Sequence, residues 1–201
     1  MKDVFLTTLR DHTTTIGPFR EAANQLASLL AAESYQFLPK VERSVTTPLG
    51  QAQGLFLPKE PVLVSILRSG LALLPAFLHL YRQAPIGTIG VRRDEKTAAP
   101  HLYYSNLPRL EENDHVFLLE PMIATGQTAA LAIKLLTKGK ISESKIVLFS
   151  ILASVEGLTL IQNRFPNIKT NIVHIDPKLD PKKWIVPGLG DFGDRYFGTQ
   201  H

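Results

Sequence analysis

Short, unbroken apolar segments alternate with segments of helical periodicity along much of the chain. Four apolar segments have the length of a β-strand: residues 62–67, 116–119, 146–152 and 172–175. Strands buried on both faces read as continuous apolar runs, so these segments predict buried strands. Three segments of helix length lie between them: residues 71–81, 128–138 and 155–164. Strands that alternate with helices predict the α/β class, with a parallel sheet flanked by helices.

The N-terminal third predicts a helix and a β-hairpin. Apolar residues recur at helical spacing behind Pro18, which can occupy the first turn, so we predict a helix over residues 18–34. Residues 41–47 and 51–57 flank the turn Pro48-Leu49-Gly50. That arrangement predicts a hairpin.

The composition limits the classes of protein to which the chain can belong. A chain of 201 residues suffices for one domain with a substantial core, so we predict a single domain over residues 1–201. The net charge of +4 favours an anionic ligand, and it is too small to predict nucleic acid as a partner. The sequence contains no cysteine, which excludes disulfides and cysteine nucleophiles and is typical of a reducing compartment. No apolar run has the length of a signal peptide or membrane span, so we expect a cytoplasmic protein.

The segment after the predicted strand 116–119 has the features of a phosphate-binding loop. In parallel sheets of this class, ligands bind beyond the carboxyl ends of the strands. Here Glu120 is followed by small residues that lead into a helix, where backbone N–H groups can converge on a phosphate. The hydroxyls of Thr125 and Thr128 can add hydrogen bonds. Taken alone, Thr-Gly before a helix is equally typical of a turn and cap. The lysine-containing spacing of nucleoside triphosphate loops is absent, which disfavours an ATPase.

Two further strand-end segments contain arginine. Arg68 lies in the tight segment Ser65-Ile66-Leu67-Arg68-Ser69-Gly70, and Arg93 lies in the charged segment 90–97. A guanidinium group is a planar fork that matches phosphate oxygens. From the residues alone, Arg68 could equally form a surface salt bridge, and the charged segment could simply be solvated.

The C-terminal segment combines glycines with aromatic residues. It reads Trp-Ile-Val-Pro-Gly-Leu-Gly-Asp-Phe-Gly-Asp-Arg-Tyr-Phe-Gly-Thr over residues 184–199. Closely spaced glycines indicate unusual backbone angles and close approach of the backbone to another group. A flexible tail would not need the interleaved aromatic residues. Within this segment, Asp194 and Arg195 are expected to form a structural ion pair.

Together, these segments resemble the uracil phosphoribosyltransferases, a branch of the type I phosphoribosyltransferases. The resemblance rests on Ile-Leu-Arg-Ser-Gly, Pro-Met-Ile-Ala-Thr-Gly and the glycine-rich tail, and it extends from Pro18 to Thr199. It implies a parallel sheet with helices on both faces and a small hood formed by about residues 176–201. It also implies transfer of the 5-phosphoribosyl group from phosphoribosyl pyrophosphate (PRPP) to uracil, giving UMP and pyrophosphate. The segment around Arg93 would be a mobile loop that closes over PRPP.

The resemblance also implies the residues of the site. Those for PRPP are Arg68, Arg93, Glu120, Met122, Ile123, Ala124, Thr125, Gly126, Gln127, Thr128 and Asp191. Those for uracil are Ile185, Gly190, Asp191 and Phe192. The catalytic residues are Arg68 and Arg93, which would stabilise the leaving pyrophosphate, and Asp191. The role of Asp191 stays open between assisting the metal and deprotonating uracil. Mg²⁺ is the implied cofactor, held largely by substrate and water, and a homodimer or higher homo-oligomer is the implied assembly.

Three positions in and beside the phosphate loop depart from the family pattern. Glu120, Gln127 and Thr128 stand where the family has aspartate, glycine and usually serine. Two alternatives remain open, and the departures at Glu120 and Gln127 favour the first. One is a non-catalytic regulator that senses nucleotides or binds RNA through a basic face formed by Lys134, Lys138, Lys140 and Lys145. The other is a phosphoribosyltransferase for another nucleobase. The complete glycine-rich tail favours the uracil enzyme, since a sensor would not need it.

Overall fold

The computed structural model describes residues 1–93, 100–139 and 141–199, and the side chain of Arg93 lies outside that description. The strands in the described part are β1 (Val41–Thr47), β2 (Gly50–Phe56), β3 (Val62–Leu67), β4 (Ile86–Arg93), β5 (Pro100–Asn106), β6 (Val116–Leu119), β7 (Met122–Ile123), β8 (Ile146–Ser154), β9 (Lys169–Asp176), β10 (Lys178–Leu179) and β11 (Ile185–Val186). The α-helices are α1 (Lys2–Arg10), α2 (Ile16–Ser34), α3 (Leu74–Leu80), α4 (Gln127–Lys138), α5 (Val155–Arg164) and α6 (Phe192–Phe197). Short 3-10 helices occupy Tyr35–Phe37, Ser69–Ala72 and Glu143–Lys145.

The main sheet is mostly parallel, which confirms the predicted fold class. Strands β4, β3, β6, β8 and β9 are hydrogen-bonded neighbours in that order, and every pair among them is parallel. Strand β7 prolongs the line of β6 and also pairs with β8 in parallel. The edge strand β5 pairs with β4 in the antiparallel direction, so the sheet is mixed.

Alternating side chains of β6 enter two separate cores. Phe117 and Leu119 belong to the core that α1, α2 and α3 cover, whereas Val116 and Leu118 belong to the core that α4 and α5 cover. All four side chains are fully buried. Burial of each such side chain contributes about 1.5–3 kcal/mol, so both faces of the sheet must be covered. This is the physical reason that the strand reads as an unbroken apolar run.

The two ends of the chain pack together on one face of the sheet. Helix α1 packs against α2 through Leu6 and Leu9. Helix α6, near the C-terminus, packs Phe192 against Phe19 of α2, with ring centroids 5.5 Å apart. Because α2 contacts both helices, it is the support on which the hood rests.

The predicted hairpin is present and stands apart from the main sheet. Strands β1 and β2 pair in antiparallel register from Val41–Phe56 to Thr47–Gly50, and they form a separate two-stranded sheet. Leu49 at the turn is 99% exposed and Leu55 is 67% exposed. Two-stranded hairpins are only marginally stable on their own in water, and these apolar side chains are exposed in the single chain.

Within the described residues, no helix combines the length and the apolar character needed to cross a lipid bilayer.

Candidate active site

The site lies at the carboxyl ends of the parallel strands, where strand-end loops and the C-terminal segment meet. A cavity of about 240 Å³ opens there. Loops after β3 and β6, the end of β4 and the start of α6 all contribute to its wall. The lining residues are Ile66, Leu67, Arg68, Ser69, Val91, Glu120, Met122, Thr128, Asp191, Phe192 and Gly193. The three motifs that the sequence analysis selected independently therefore converge on one space.

A proline breaks the strand line and helps to place Glu120 in the cavity. Pro121 has no backbone N–H, so the ladder is interrupted between β6 and β7. Its carbonyl oxygen instead accepts from the N–H groups of Ile151 and Leu152, each at 3.0 Å. Glu120 is 6% exposed and accepts a hydrogen bond from Ser69 Oγ at 3.1 Å. A nearly buried carboxylate is thereby fixed at the tip of the central strand.

Two glycines bring the phosphate loop into direct backbone contact with α5. Gly126 has a φ of 75°, and a Cβ there would lie 2.4 Å from the carbonyl oxygen of Gly157. A Cβ on Gly157 would lie 2.3 Å from the carbonyl oxygen of Ala124. Ser154 completes the support, since its Oγ donates to Ala124 O at 2.6 Å and accepts from the Gly157 N–H at 2.9 Å. The sequence analysis missed Ser154 and Gly157, although a glycine in the first turn of a helix is itself an available signal.

The residues predicted for PRPP divide into two groups. Those that line the cavity are Arg68, Glu120, Met122, Thr128 and Asp191. Those buried beside the lining are Ile123, Ala124, Thr125 and Gly126. Gln127 begins α4 with its side chain exposed, outside the lining that the described residues form. The predicted mobile loop lies largely outside the described residues, as does the side chain of Arg93.

The residues predicted for uracil also fall into two groups, those that line the cavity and those that do not. Asp191 and Phe192 line the cavity, and Phe192 is 1% exposed because it packs on α2 as well. Ile185 is buried in the core, and Gly190 is exposed with a φ of 80°. A Cβ on Gly190 would meet the Arg195 side chain at 3.6 Å. These two residues shape the loop that leads to Asp191, and they are not part of the cavity lining.

Asp191 serves as the N-cap of α6. Its Oδ1 accepts from the Asp194 N–H at 2.9 Å, which satisfies a donor that the helix leaves unpaired. The side chain is therefore held in one orientation while it also borders the cavity. An oriented carboxylate is suited to bind a metal-bound water, a sugar hydroxyl or an N–H group of the base.

Two arginines anchor the glycine-rich loop to the N-terminal segment. Arg10 contacts both oxygens of Asp176, at 2.7 and 3.1 Å, and also donates to Gly188 O at 3.2 Å. Asp176 is 1% exposed and accepts from the Gly188 N–H at 2.9 Å. Arg195 donates to Leu189 O at 2.8 Å. The loop is thus held from both sides.

Arg195 also differs from its predicted role. Its guanidinium donates to the carbonyl oxygens of Leu9 and Asp11 and lies 4.5 Å from the centre of the Phe19 ring. Burial lowers the pKa of Arg195 from its ordinary value. The Asp194 carboxylate faces Arg68 instead, so the expected ion pair between Asp194 and Arg195 is wrong. Arg195 donates to backbone oxygens of the N-terminal segment, and a neighbouring carboxylate would compete with those oxygens for its N–H groups.

Asp176→Ala is expected to lower the free energy of unfolding by about 3–5 kcal/mol, because it leaves the Arg10 guanidinium without its buried partner. Urea denaturation of the purified variant measures this change. Asp3→Ala, in an exposed part of α1, is the control and should lie within about 0.5 kcal/mol of the parent chain. A loss below about 1 kcal/mol at Asp176 would contradict the anchoring role.

The donor set of the cavity fits a hard cation that is only partly held by protein. Glu120 and Asp191 are the two carboxylates in the lining. Among the described residues, no group of three or more His, Cys, Asp or Glu side chains could form a metal cage. Mg²⁺ is commonly bound by one or two carboxylates together with water and substrate phosphates. The arrangement is compatible with that mode of binding.

Comparisons with known proteins agree with this geometry. A family model described as uracil phosphoribosyltransferase matches residues 3–199. The uracil phosphoribosyltransferase of Mycoplasma genitalium is 38% identical over 195 residues, which is 97% of this chain and 94% of that protein. The solved AQ2163 protein from Aquifex aeolicus superposes with a TM-score of 0.89 at 32% identity, covering 99% of this chain and 95% of the other. The adenine phosphoribosyltransferase of Leishmania tarentolae (TM-score 0.55, 15% identity, 77% and 71% covered) shares the fold. The chain belongs to the uracil phosphoribosyltransferase family.

Proposed function

We propose that the chain transfers the 5-phosphoribosyl group of PRPP to uracil, giving UMP and pyrophosphate. The observation that carries this proposal is the convergence of Arg68, Glu120 and Asp191 on one cavity, in a chain whose family is uracil phosphoribosyltransferase. These residues supply, in one place, a cation for the leaving group and carboxylates for the sugar and the cofactor.

The reaction exchanges one bond at the ribose C1 for another. The bond from C1 to the pyrophosphate oxygen breaks, the bond from C1 to uracil N1 forms, and N1 loses its proton. Departure of pyrophosphate leaves positive charge on the sugar, so catalysis depends on positioning and on charge stabilisation. Arg68 stabilises the negative charge on the leaving pyrophosphate, and Glu120 accepts hydrogen bonds from ribose hydroxyls. By family resemblance, Arg93 would contribute a second cation for the leaving group.

The hood supplies the selectivity for the base. Uracil presents an acceptor, a donor and an acceptor along one edge, and backbone groups of an extended loop can match that pattern without a charged side chain. Cytosine would leave buried polar groups unpaired, which is costly and therefore discriminates strongly. Phe192 provides an apolar wall at the cavity, and the anchored loop from Gly188 to Gly190 holds the neighbouring backbone in place.

Mg²⁺ is proposed as the cofactor, with Glu120 and Asp191 as the side chains that would hold it, directly or through water. When bound, the ion neutralises charge on pyrophosphate. The support is the chemistry of the cavity, in which two carboxylates face the space that an anionic substrate must enter.

The regulator alternative is less well supported. Its motivation was the pair of departures at Glu120 and Gln127, yet Glu120 keeps a carboxylate at the strand tip and the Gln127 side chain is exposed. On the suggested basic face, Lys145 is already bonded to Glu112 O at 2.9 Å and to Asn113 Oδ1 at 3.1 Å. Lys140 lies outside the described residues.

The proposed function is tested by pyrophosphate release. The protein is incubated with PRPP and Mg²⁺ together with uracil, cytosine, hypoxanthine or adenine in parallel reactions. Release that depends on uracil supports the proposal. Release with another base only would favour the other phosphoribosyltransferase reading. No release with any base, while UMP binds tightly, would favour the regulator.

A homo-oligomer is proposed from the projecting hairpin of β1 and β2. Its exposed apolar side chains would be covered by a second copy of the chain. Leu49→Asp combined with Leu55→Asp is expected to convert an oligomer into a monomer, as measured by analytical ultracentrifugation. Val4→Asp, at a 66% exposed apolar position on α1, is the control and should leave the assembly intact. A parent chain that is already monomeric would contradict the proposal, as would a double variant that remains oligomeric.

The cytoplasm is the proposed location. PRPP, UMP and pyrophosphate carry several negative charges and do not cross a bilayer unaided. An enzyme that uses them must therefore share the compartment in which PRPP is made.

A further inference from the structure

Residues 194–199 contact Arg68, the arginine that follows β3. Arg68 Nη2 donates to Thr199 Oγ1 at 3.4 Å and lies 3.7 Å from Asp194 Oδ1. Its guanidinium carbon lies 5.7 Å from the centre of the Phe197 ring. The side chain is 57% exposed and lines the cavity. Three residues of the tail thus define where one end of a long, exposed side chain lies.

Asp194 is itself held by its own segment. Thr199 Oγ1 donates to Asp194 Oδ1 at 2.9 Å. The N–H groups of Gly198 and Thr199 donate to the Asp194 carbonyl oxygen, at 2.8 and 3.2 Å. The Asp194 N–H donates to Asp191 Oδ1. The same residue is therefore bonded to the cavity-lining Asp191 and faces Arg68.

We propose that Asp194 and Thr199 are positioning residues that orient Arg68 toward the pyrophosphate group of PRPP, an inference that rests on the proposed function. An exposed arginine loses much rotamer freedom when it is fixed on a ligand. Contacts that fix it beforehand reduce that loss, which is the general effect of preorganisation. Loss of these contacts should weaken PRPP binding more than it lowers the stability of the fold, because exposed ion pairs stabilise proteins little.

The geometry indicates positioning rather than competition for the guanidinium. The tail contacts use the Nη2 nitrogen, whereas a guanidinium carries five N–H donors in a fixed fork. At 3.7 Å, the Asp194 carboxylate attracts Arg68 without a direct hydrogen bond. The remaining donors would bind the pyrophosphate, which carries more charge than one carboxylate. The pyrophosphate can therefore bind Arg68 while the tail contacts persist.

This arrangement also joins the two substrate regions. The segment that contains Asp191 and Phe192 borders the base side of the cavity, and the same segment holds the cation for the leaving group. A change in the tail is therefore transmitted to Arg68 by direct contacts.

The test measures the KM for both substrates in six variants. Asp194→Asn keeps the size of the side chain, and we expect the KM for PRPP to rise about tenfold while the KM for uracil stays within about twofold. Thr199→Val should raise the KM for PRPP about threefold. Thr199→Ser, which keeps the hydroxyl, should have the KM of the parent chain. In an Arg68→Gln background, Asp194→Asn should change the KM for PRPP less than about twofold, because the positive charge that Asp194 attracts is already lost. Glu111→Gln removes one partner of the exposed pair with Lys59 and should match the parent chain.

The outcomes separate this inference from the proposed function. An unchanged or lower KM for PRPP in Asp194→Asn would overturn the positioning role. So would an equal rise for both substrates, or an effect of the same size in the Arg68→Gln background, because each indicates a merely structural role. If the parent chain shows no uracil-dependent release of pyrophosphate, the proposed function fails instead. In that case, calorimetric binding of PRPP to the same variants still tests the contact with Arg68.

Discussion

Gly157→Ala is expected to lower kcat/KM for PRPP by roughly thirty- to a hundredfold, since a clash of this kind costs about 2–3 kcal/mol. The added Cβ would lie 2.3 Å from the carbonyl oxygen of Ala124, closer than real side-chain atoms approach. Either the phosphate loop or α5 must then move, which would displace the backbone that is proposed to bind the phosphate. Steady-state kinetics with PRPP as the varied substrate measure the effect.

The matched control for this prediction is Gly17→Ala. A Cβ on Gly17 meets no atom within 4 Å, so the same chemical change is accommodated there. Its kinetics should equal those of the parent chain. If Gly157→Ala kept the parent value of kcat/KM for PRPP and also bound uracil normally, the phosphate loop would not depend on its contact with α5.

Asp191→Asn is expected to lower kcat by roughly a hundredfold, because it removes a charge that acts on the reacting groups. Asparagine caps helices about as well as aspartate, so α6 and the shape of the cavity should be kept. The KM for uracil should stay within about threefold. Asp11→Asn is the control, since the Asp11 carboxylate also accepts from a nearby backbone N–H, that of Thr13, but lies in an exposed turn.

A magnesium titration of Asp191→Asn separates the two roles left open for this residue. If Asp191 holds the metal, raising the Mg²⁺ concentration should recover much of the lost kcat. If it removes the N1 proton of uracil, added Mg²⁺ should have no effect, and a higher pH should recover activity instead. A variant with the parent kcat under all these conditions would remove Asp191 from the site.

The sequence predicted the central elements because their signals are local. Strand β3 has the predicted bounds, and so does α5. In both elements, consecutive residues show the pattern of burial that identifies the element. Strand β4 was not predicted, because Gly87 and Gly90 interrupt its apolar pattern. The reason for Gly90 lies elsewhere in the chain, since a Cβ there would lie 2.6 Å from the Tyr103 ring.

The supporting residues of the site could not be read from the sequence for a similar reason. Arg10 and Asp176 are separated by 166 positions, and only the fold brings them together. Motifs carried by family resemblance named the cavity-lining residues Arg68, Glu120 and Asp191, because these lie within short segments. They did not reveal that Asp194 faces Arg68, since the two belong to different motifs. Local patterns therefore predict the groups that touch ligand better than those that hold these groups in place.

In the proposed reaction, C1 of PRPP becomes bonded to N1 of uracil, and one nuclear magnetic resonance measurement tests this directly. PRPP labelled with ¹³C at ribose C1 and uracil labelled with ¹⁵N at N1 are mixed with the protein and Mg²⁺. We predict a new C1 signal that is split by one-bond coupling to ¹⁵N, and this signal should grow at the rate of pyrophosphate release. A C1 signal that moves to that of free ribose 5-phosphate, at the same rate with and without uracil, would contradict it.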